Sequence, residues 1–466
     1  MNETPEHATV VRAIPHPVDA FSVANRLRET PAWCWLDGEV MSPDETGSAW
    51  SYLGVANEVR VAERGREREF LAGLRLPPYL LTVQDPGAAG EGGFHEGWVV
   101  ALGYEFGVGL LCARPTPDAV PPAFALRIDV VLAIHDETGH AELRGTAAAI
   151  DAWIEAHGSA LEPLPATQPP HGPGYPGETA ASWMRSAQTY LADIEACRAA
   201  IRAGDAYVRC LTDTATVPGV FDPLAIYARL REAGGAIRGG VIVAGDRALV
   251  SASPERFLSV QRDVAGALHM ATHPIKGTRP RGETAARDAE LAAELAADPK
   301  EHAENLMIVD LMRNDLSRVC APESVRTEGF QRVESHPHVH QLVSTVTGTL
   351  RPGLDVFDAI ESCFPGGSMT GAPKRRAVEI LAAVEGAPRG LYAGCFGWID
   401  RGGAAELAMT IRSVELRGGG ILPGMALIGA GGGITIDSDP ARELAEARLK
   451  ARAALAALQP GSGAIR

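Results

Sequence analysis

The amino-acid sequence predicts an α+β fold, in which antiparallel strands and helices occupy separate regions and do not alternate as in a doubly wound sheet. Short apolar runs typical of strands recur along the chain, for example at residues 125–133 and 394–399. Segments with helical spacing of apolar residues are set apart from these runs, for example at residues 180–203. The 466 residues, 46% of them hydrophobic and 22% charged, suffice for one large domain or two to three average domains.

The composition predicts a division into two parts. Residues 1–160 are expected to form an N-terminal subdomain rich in strands. Residues 161–179 contain many prolines and glycines and are interpreted as a linker. Residues 180–466 are expected to form a second domain.

Each predicted element depends on a local pattern of apolar, glycine and proline residues. The predicted strands are residues 79–83, 97–105 (with a tight turn at Gly103), 125–133, 206–212, 241–244, 248–251, 267–272, 339–350, 394–399 and 405–416. The predicted helices are residues 146–157, 180–203, two segments after residue 282, a segment from about 374 to 384, and residues 440–458. The second helix after residue 282 has the clearest start, with Asp298 as N-cap and Pro299 at the first helical position.

Charge and cysteine content argue against several classes of protein. A net charge of −15 disfavours nucleic-acid binding. The seven cysteines are scattered without a CxxC pair, so they are interpreted as reduced, mostly buried thiols of a cytoplasmic protein. Residues 1–19 show no signal peptide, and no run of about 18 apolar residues predicts a helix across a membrane.

One lysine lies in a segment with little backbone freedom. Lys276 belongs to the stretch HPIKGTRPRG, residues 273–282, directly after a predicted strand. Two glycines permit unusual backbone angles and two prolines fix φ, so the stretch predicts a rigid loop that presents Lys276 in one direction. The alternative is an ordinary surface lysine beside a turn.

Two pairs of glutamates are spaced to share one helix face each. Glu301 and Glu304 are three residues apart, as are Glu443 and Glu446, and Lys450 follows Glu446 by one helical turn. Carboxylates that converge from two helices suit Mg²⁺, which takes oxygen ligands. The alternative is two solvated helix faces.

Three further features suggest ligand contacts. The glycine run at residues 429–433 can form a nest of backbone N–H groups for an anion, although most glycine runs serve as turns. Thr370 stands where it can cap the helix that follows it. His340 lies within a predicted strand, where a lone histidine is more often a satisfied core residue than a catalytic one.

Several separated motifs together resemble the chorismate-utilising enzymes. They are PIKGTRPRG (274–282), AENLMIVDLMRND (303–315), SMTGAPK (368–374) and the glycine run followed by Asp437 and Ser438. The resemblance is specific over about residues 180–460 and looser before them, where Gly103-Tyr104-Glu105 is the clearest match. It implies the fold of anthranilate synthase component I, with two packed, mostly antiparallel sheets and helices outside. It also implies that residues 180–466 are the chorismate-binding catalytic domain.

The resemblance implies a role for each candidate site residue. Mg²⁺ is expected to be held directly by Glu304 and Glu446 and through water by Glu301 and Glu443. The expected catalytic residues are Lys276 as nucleophile, Glu255 as general acid, and His340. The expected substrate-binding residues are Thr278, Thr370, Tyr392, Arg412, Gly431, Gly433 and Lys450.

Two positions discriminate among family members. Family members that add water to the ring activate it with a lysine at the position of Val208, which cannot act as a base. Anthranilate synthases carry alanine where Lys276 stands, whereas aminodeoxychorismate synthases carry lysine. The resemblance therefore implies an aminodeoxychorismate synthase, in which Mg²⁺ and Arg412 are expected to lower the pKa of Lys276. Arg209 departs from the family pattern and is expected to perturb access to ring carbon C2.

The expected reaction consumes chorismate and ammonia. Cys395 lies within a predicted strand and is interpreted as structural, so a separate glutamine amidotransferase subunit is the expected ammonia source, with no nucleic-acid or membrane partner. The alternatives are an anthranilate synthase component I, a salicylate or isochorismate synthase, and a catalytically inactive chorismate-binding subunit. Whether the product feeds folate or a specialised metabolite stays open.

Overall fold

The computed structural model describes residues 8–39, 49–77, 93–162, 181–234, 238–336, 339–418 and 424–459. In these ranges the α-helices are α1 (Ala20–Leu27), α2 (Glu67–Leu74), α3 (Tyr104–Leu110), α4 (Ala147–His157), α5 (Ala187–Arg202), α6 (Pro223–Glu232), α7 (Ala285–Ala296), α8 (Pro299–Ser317), α9 (Val356–Cys363), α10 (Lys374–Glu385) and α11 (Pro440–Ala457).

The strands lie between these helices along the chain, often several in succession. The first eleven are β1 (Thr9–Ala13), β2 (Ala32–Glu39), β3 (Trp50–Val55), β4 (Glu58–Val61), β5 (Gly97–Leu102), β6 (Ala123–Ile128), β7 (Val130–His135), β8 (Ala141–Thr146), β9 (Ser182–Trp183), β10 (Val208–Pro218) and β11 (Arg238–Ala244). The others are β12 (Arg247–Ser253), β13 (Arg256–Arg262), β14 (Leu268–Thr272), β15 (Ile275–Pro280), β16 (Arg326–Ser335), β17 (Val339–Thr349), β18 (Gly371–Ala372), β19 (Cys395–Asp400), β20 (Ala405–Met409), β21 (Ser413–Arg417) and β22 (Met425–Ile434).

The described strands form two antiparallel sheets. The larger sheet runs β1-β8-β7-β3-β2-β11-β12-β21-β22-β10-β18, and β9 also pairs with β10. The smaller sheet runs β15-β17-β14-β13-β20-β19-β5-β6-β4, and β16 also pairs with β17. The α+β class and the two packed antiparallel sheets are therefore confirmed. Strands from both ends of the chain share both sheets. The division at residues 161–179 stays a prediction, and residues 163–179 lie outside the described residues.

The core is arranged in layers. Ile242 and Leu249 of the larger sheet pack with Phe396 and Trp398 of the smaller sheet, so the inner faces of the two sheets bury one another. Helices α2, α3, α8 and α9 cover the outer face of the smaller sheet. Helices α1, α4, α6 and α11 cover the outer face of the larger sheet.

Two predicted single strands are each two strands, and the chain crosses between the sheets within both. Residues 125–133 span the end of β6, in the smaller sheet, and the start of β7, in the larger one. Residues 405–416 divide into β20 and β21 in the same way, and Arg412 at the crossing has a φ of +53°. Both runs are rich in apolar residues on each side of the crossing, because each strand is buried in its own sheet, so the apolar pattern alone does not reveal the crossing.

Most other predicted elements are confirmed, with boundaries that shift by a few residues. The helix predicted at residues 180–203 begins only at Ala187, because residues 182–183 form strand β9. Helix α8 begins as predicted, because the Asp298 carboxylate accepts hydrogen bonds from the backbone N–H groups of Lys300 and Glu301. The predicted strands at residues 241–244 and 248–251 correspond to β11 and β12, which pair with each other. Residues 79–83 lie outside the described residues. The rigid loop predicted around Lys276 is wrong, because that segment is strand β15 at the edge of the smaller sheet.

Candidate active site

Lys276 occupies an irregular stretch of β15 that directs its side chain toward α8. The ladder between β15 and β17 shifts register between Ile275 and Thr278. Gly277 has a φ of +81°, and a Cβ there would lie 2.7 Å from Leu295 Cδ1 and 3.0 Å from Glu301 Cγ. A larger residue would thus push away both neighbouring helices. The Lys276 Nζ atom lies 3.9 Å from the Glu304 carboxylate on α8.

The glycine run is extended strand, and the predicted anion nest is wrong. Residues 429–433 belong to β22 and pair with β10 over their whole length. A Cβ at Gly429 would lie 2.0 Å from Cγ of Tyr392, and one at Gly431 would lie 2.1 Å from the Leu211 carbonyl oxygen. These glycines therefore permit close packing of a ring and of a neighbouring strand.

The far end of the same glycine run is where the candidate residues meet. The Cβ position of Gly433 lies 3.5 Å from Glu304 Oε2, 3.6 Å from Lys276 Nζ and 3.5 Å from a methyl group of Val208. The Cβ position of Gly432 lies 3.2 Å from Glu443 Oε2. Glycines in β22 thus leave room for side chains that arrive from α8, α11 and β15.

Four carboxylates converge here from two helices, and we call Glu301, Glu304, Glu443 and Glu446 the acidic cluster. Lys300 Nζ lies 3.7 Å from Glu304 and 3.6 Å from Glu443. Lys450 Nζ lies 2.6 Å from Glu446 and donates to the Gly431 carbonyl at 3.0 Å. The Ser438 hydroxyl donates to Glu443 at 2.8 Å. Lys300 and Ser438 are contacts that the sequence analysis missed.

The charges of the cluster act on one another. Burial and the neighbouring carboxylates raise the pKa of Glu301, and burial raises the pKa of Glu443. Burial also acts to raise the pKa of Glu446, but the lysines around it, Lys450 first, lower it overall. Burial acts to lower the pKa of Lys276, but Glu304 and other negative groups outweigh it, so that pKa is raised. The lowering of this pKa that is expected from Mg²⁺ and Arg412 stays a prediction.

The donor chemistry of the acidic cluster fits Mg²⁺, which takes carboxylate oxygens and retains several waters. Within the described part of the chain, no three His, Cys, Asp or Glu side chains are grouped closely enough to hold a metal ion together. The carboxylate oxygens instead face the ammonium groups of Lys276, Lys300 and Lys450. These three ammonium groups offset part of the four negative charges at the place where a cation is expected.

Glu255 has the environment that a general acid needs. Its side chain is buried, and burial raises its pKa to about 7, against the opposing effects of a hydrogen bond with Ser368 and the charges of Lys276 and Lys450. It lines a small cavity together with Thr272, Met312, Ser368 and Met409. Ser368 was missed as a site residue, although it lies in the SMTGAPK motif.

Arg412 and Tyr392 lie beside the glycine run. The Arg412 side chain is exposed and forms no side-chain hydrogen bond or ion pair with the described residues. Partial removal from water lowers the pKa of Arg412, and the nearby Tyr392 and Glu446 oppose that shift. Arg412 is thus a cation available to an anionic ligand.

The model of the family described as chorismate binding enzyme matches residues 39–456. The chain belongs to the chorismate-binding enzymes.

Curated relatives carry two different names within this family. The chain is 40% identical to an aminodeoxychorismate synthase of Streptomyces griseus over 370 residues, 77% of this chain and 49% of that protein. It is 34% identical to the aminodeoxychorismate synthase of Streptomyces pristinaespiralis over 482 residues, 97% of this chain and 65% of that protein. It is 41% identical to anthranilate synthase component 1 of Haloferax volcanii over 265 residues, 57% of this chain and 49% of that protein. The chain thus spans about half to two thirds of these relatives.

Solved structures support the fold of this chorismate-binding enzyme. Anthranilate synthase component I from Streptococcus pneumoniae matches with a TM-score of 0.68 and 23% identity over 97% of this chain and 93% of that chain. The menaquinone-specific isochorismate synthase from Escherichia coli matches with a TM-score of 0.69 and 19% identity over 97% and 95%.

Other predicted site residues make contacts away from the acidic cluster. His340 is buried, with its ring nitrogens 2.8 Å from the Ser335 hydroxyl and 2.9 Å from the Asp288 carboxylate. The Thr370 hydroxyl donates to the carbonyl groups of Gly366 and Gly367, and α10 has Pro373 at its N-cap, so the predicted Thr370 cap is wrong.

Thr278 and Arg209 are the remaining residues for which the sequence predicts an effect on the ring site. Thr278 is exposed and pairs with Gln341 on the neighbouring strand. Arg209 follows Val208 in β10, and its guanidinium group donates to the Cys197 carbonyl on α5 at 2.7 Å. The effect of Arg209 on access to ring carbon C2 stays a prediction.

The cysteine and membrane predictions have clear outcomes. All seven cysteines are free, and six are buried, as predicted. Cys395 is one of the buried thiols, lies within β19, and has a pKa raised by burial. In the part of the chain that the structure describes, no helix has the length and apolar character needed to cross a membrane.

Proposed function

We propose that this chain is the chorismate-aminating component of an aminodeoxychorismate synthase, which forms 4-amino-4-deoxychorismate from chorismate and ammonia. One observation carries the proposal: Lys276 Nζ lies beside Glu304 and the Gly433 backbone, with the apolar Val208 next to it. A lysine there supplies a nucleophile, and valine at position 208 supplies no base for water. The two relatives named aminodeoxychorismate synthase support this assignment.

The first half of the reaction removes the hydroxyl group at ring carbon C4. Lys276, as the free amine, attacks C2, so that a C–N bond forms there and both ring double bonds shift toward C4. The C4–O bond breaks, and Glu255 donates the proton that lets the oxygen leave as water. A carboxyl group with a pKa of about 7 is protonated about half of the time at neutral pH.

The second half places nitrogen on C4. Ammonia attacks C4, both double bonds shift back, and the bond between C2 and Lys276 breaks. Two successive allylic displacements return nitrogen to the carbon that lost the hydroxyl. The carboxylates near Lys276 stabilise its ammonium form, so they also favour its departure as a leaving group after proton transfer.

Substrate binding is assigned to the cations beside the glycine run. Arg412, which is free of other ion pairs in the described residues, suits a bidentate contact with the enolpyruvyl carboxylate. Tyr392, Lys450 and the backbone at Gly431 and Gly433 complete this side of the site. Contacts of the ring substituents of chorismate with Thr278, Thr370 and His340 stay predictions.

The ring carboxylate of chorismate is assigned to the acidic cluster. Glu304 and Glu446 would hold Mg²⁺ directly, with Glu301 and Glu443 acting through water. The ion would supply the positive charge that a carboxylate needs among four glutamates. The proposal draws on the oxygen donors that converge from α8 and α11.

The ammonia source is proposed to be a glutamine amidotransferase. Such an enzyme needs a reactive cysteine with a histidine partner, whereas Cys395 is buried within a strand. We therefore assign glutamine hydrolysis to a partner in the cytoplasm, where the seven free thiols would stay reduced. The product would be a precursor of p-aminobenzoate, and hence of folate or of a related specialised metabolite.

The second candidate is an anthranilate synthase component I, favoured by the relative of Haloferax volcanii. Incubation of the purified chain with chorismate, Mg²⁺ and an ammonium salt distinguishes the two. The proposal predicts 4-amino-4-deoxychorismate as the product. Anthranilate and pyruvate as the only products would favour the second candidate, and a hydroxylated product without ammonia would favour an isochorismate or salicylate synthase.

A further inference from the structure

The lysines of this chain are few and are grouped at one place. The sequence contains four lysines among 43 basic residues, and the other 39 are arginine. Lys276, Lys300 and Lys450 all contact the acidic cluster. The fourth, Lys374, is buried and donates to the Asp315 carboxylate of α8 at 2.5 Å. Since arginine fills every other basic position, lysine at these four positions indicates a need for a compact ammonium group.

Lys300 differs from the other three in its position. It lies in the first turn of α8, and its side chain is 52% exposed. Its nitrogen is 3.7 Å from Glu304 on the same helix and 3.6 Å from Glu443 on α11. It therefore bridges the two helices that supply the acidic cluster, whereas Lys450 pairs with Glu446 within α11.

An ammonium group suits ionic contacts that must be broken when a ligand binds. It is a small point charge on a flexible chain, and an exposed one can move into water at little cost. A guanidinium group in its place would form a planar, bidentate pair with a carboxylate and would hold it more firmly. The carboxylates that Lys300 bridges are two of the four assigned to the cation.

We propose that Lys300 is an internal counter-cation that competes with Mg²⁺ for Glu304 and Glu443. With the cation absent, its ammonium group offsets repulsion between the two helices. Upon cation binding the side chain moves into solvent and releases both carboxylates. The inference rests on the proposed function, because it uses the metal site assigned there.

The test is calorimetric titration of Mg²⁺ into the full, chelator-treated chain without chorismate. Lys300→Met removes the competing charge and should lower the Kd for Mg²⁺ about three- to fivefold, the scale of one exposed ion pair. Lys300→Arg should raise the Kd, since the guanidinium pair is harder to open. Arg442→Met is the matched control, because it removes an exposed charge beside Glu443 on α11 and should leave the Kd within twofold of the wild type.

A second measurement reports on the metal-free state. Lys300→Met should lower the Tm in chelator more than Arg442→Met does, and saturating Mg²⁺ should remove this difference. Equal Kd values for the wild type and Lys300→Met would overturn the inference while leaving the metal site intact. The same gain in affinity in Arg442→Met would also overturn it, because loss of any nearby positive charge would then explain the higher affinity for Mg²⁺. Absence of Mg²⁺ binding in every variant would overturn the proposed metal site together with the inference.

Discussion

The ammonium nitrogen of Lys276 lies 3.9 Å from the carboxylate of Glu304. This contact joins the proposed nucleophile on the edge strand β15 to a proposed metal ligand on helix α8. The two residues are 28 positions apart, and Gly277 permits the close approach of helix and strand. Binding of the substrate carboxylate and attack by the amine would therefore occur within one small volume.

Replacement of Lys276 tests the covalent route. Lys276→Ala should lower amination of chorismate about a hundredfold or more, because the group that displaces the C4 hydroxyl is lost. Affinity for chorismate should change less, since the carboxylate contacts remain. Rates with ammonium and the Kd for chorismate, measured by calorimetry, separate the two effects. Amination at the wild-type rate in this variant would contradict the covalent route.

The pH dependence tests Glu255 as the acid. Burial raises the pKa of this carboxyl to about 7, and the acid must be protonated to act. Glu255→Gln should lower the kcat/KM for chorismate, at a fixed concentration of free ammonia, about 10² to 10⁴-fold below pH 7. Division of the wild-type value by that of the variant cancels the ionisation of Lys276, so this ratio should fall above about pH 7, approaching tenfold per pH unit. A ratio that stays constant from pH 6 to 9 would exclude Glu255 from this role.

A glycine substitution tests the packing beneath the substrate site. Gly429→Ala places a methyl group 2.0 Å from Tyr392 Cγ, so the ring must move, at a cost of about 1–3 kcal/mol. Both a lower free energy of unfolding and a higher KM for chorismate are expected. Gly73→Ala is the control: its Cβ would lie 3.5 Å from Arg60, within helix α2, where alanine is favoured. Equal stability of the two variants would count against this packing.

His273 predicts a dependence of stability on pH. Burial and the charges of Arg256, Arg238 and Arg332 lower its pKa to about 3, whereas the unfolded chain keeps the ordinary value near 6.5. Above pH 6.5 the residue is neutral in both states. Below it only the unfolded chain binds the proton, so the free energy of unfolding falls by up to about 1.4 kcal/mol per pH unit toward pH 3.

Denaturant titrations at pH 7, 6 and 5 check this expectation. His273→Gln retains an acceptor for the Arg256 guanidinium, which lies 3.0 Å from the histidine ring nitrogen. The variant should show a flatter dependence of stability on pH than the wild type. Parallel curves for the two proteins would show that His273 does not take up a proton on unfolding.

The local features of the site could be predicted from the sequence. Asp298 and Pro299 mark the start of α8 because capping depends on adjacent residues, and the spacing within α8 and α11 fixes which carboxylates share a helix face. The motif around Lys276 identifies the edge strand through its resemblance to a family, although its backbone was interpreted as a loop.

Features that depend on tertiary contacts could not be predicted. The crossings near Asp129 and at Arg412 each occur within one run that is rich in apolar residues, and only the pairing of strands reveals them. The glycine run is explained by Tyr392 and Leu211, which approach from other elements. The Lys300 bridge joins helices about 140 residues apart in sequence, so no local pattern indicates it.

The most direct test of the proposed reaction is the position of nitrogen in the product. The purified chain is incubated with chorismate, Mg²⁺ and ¹⁵N-ammonium, and the product is examined by mass spectrometry and NMR spectroscopy. The account predicts one ¹⁵N atom bonded to ring carbon C4, with the enolpyruvyl group retained. Label at C2, with release of pyruvate, or a product without label would contradict it.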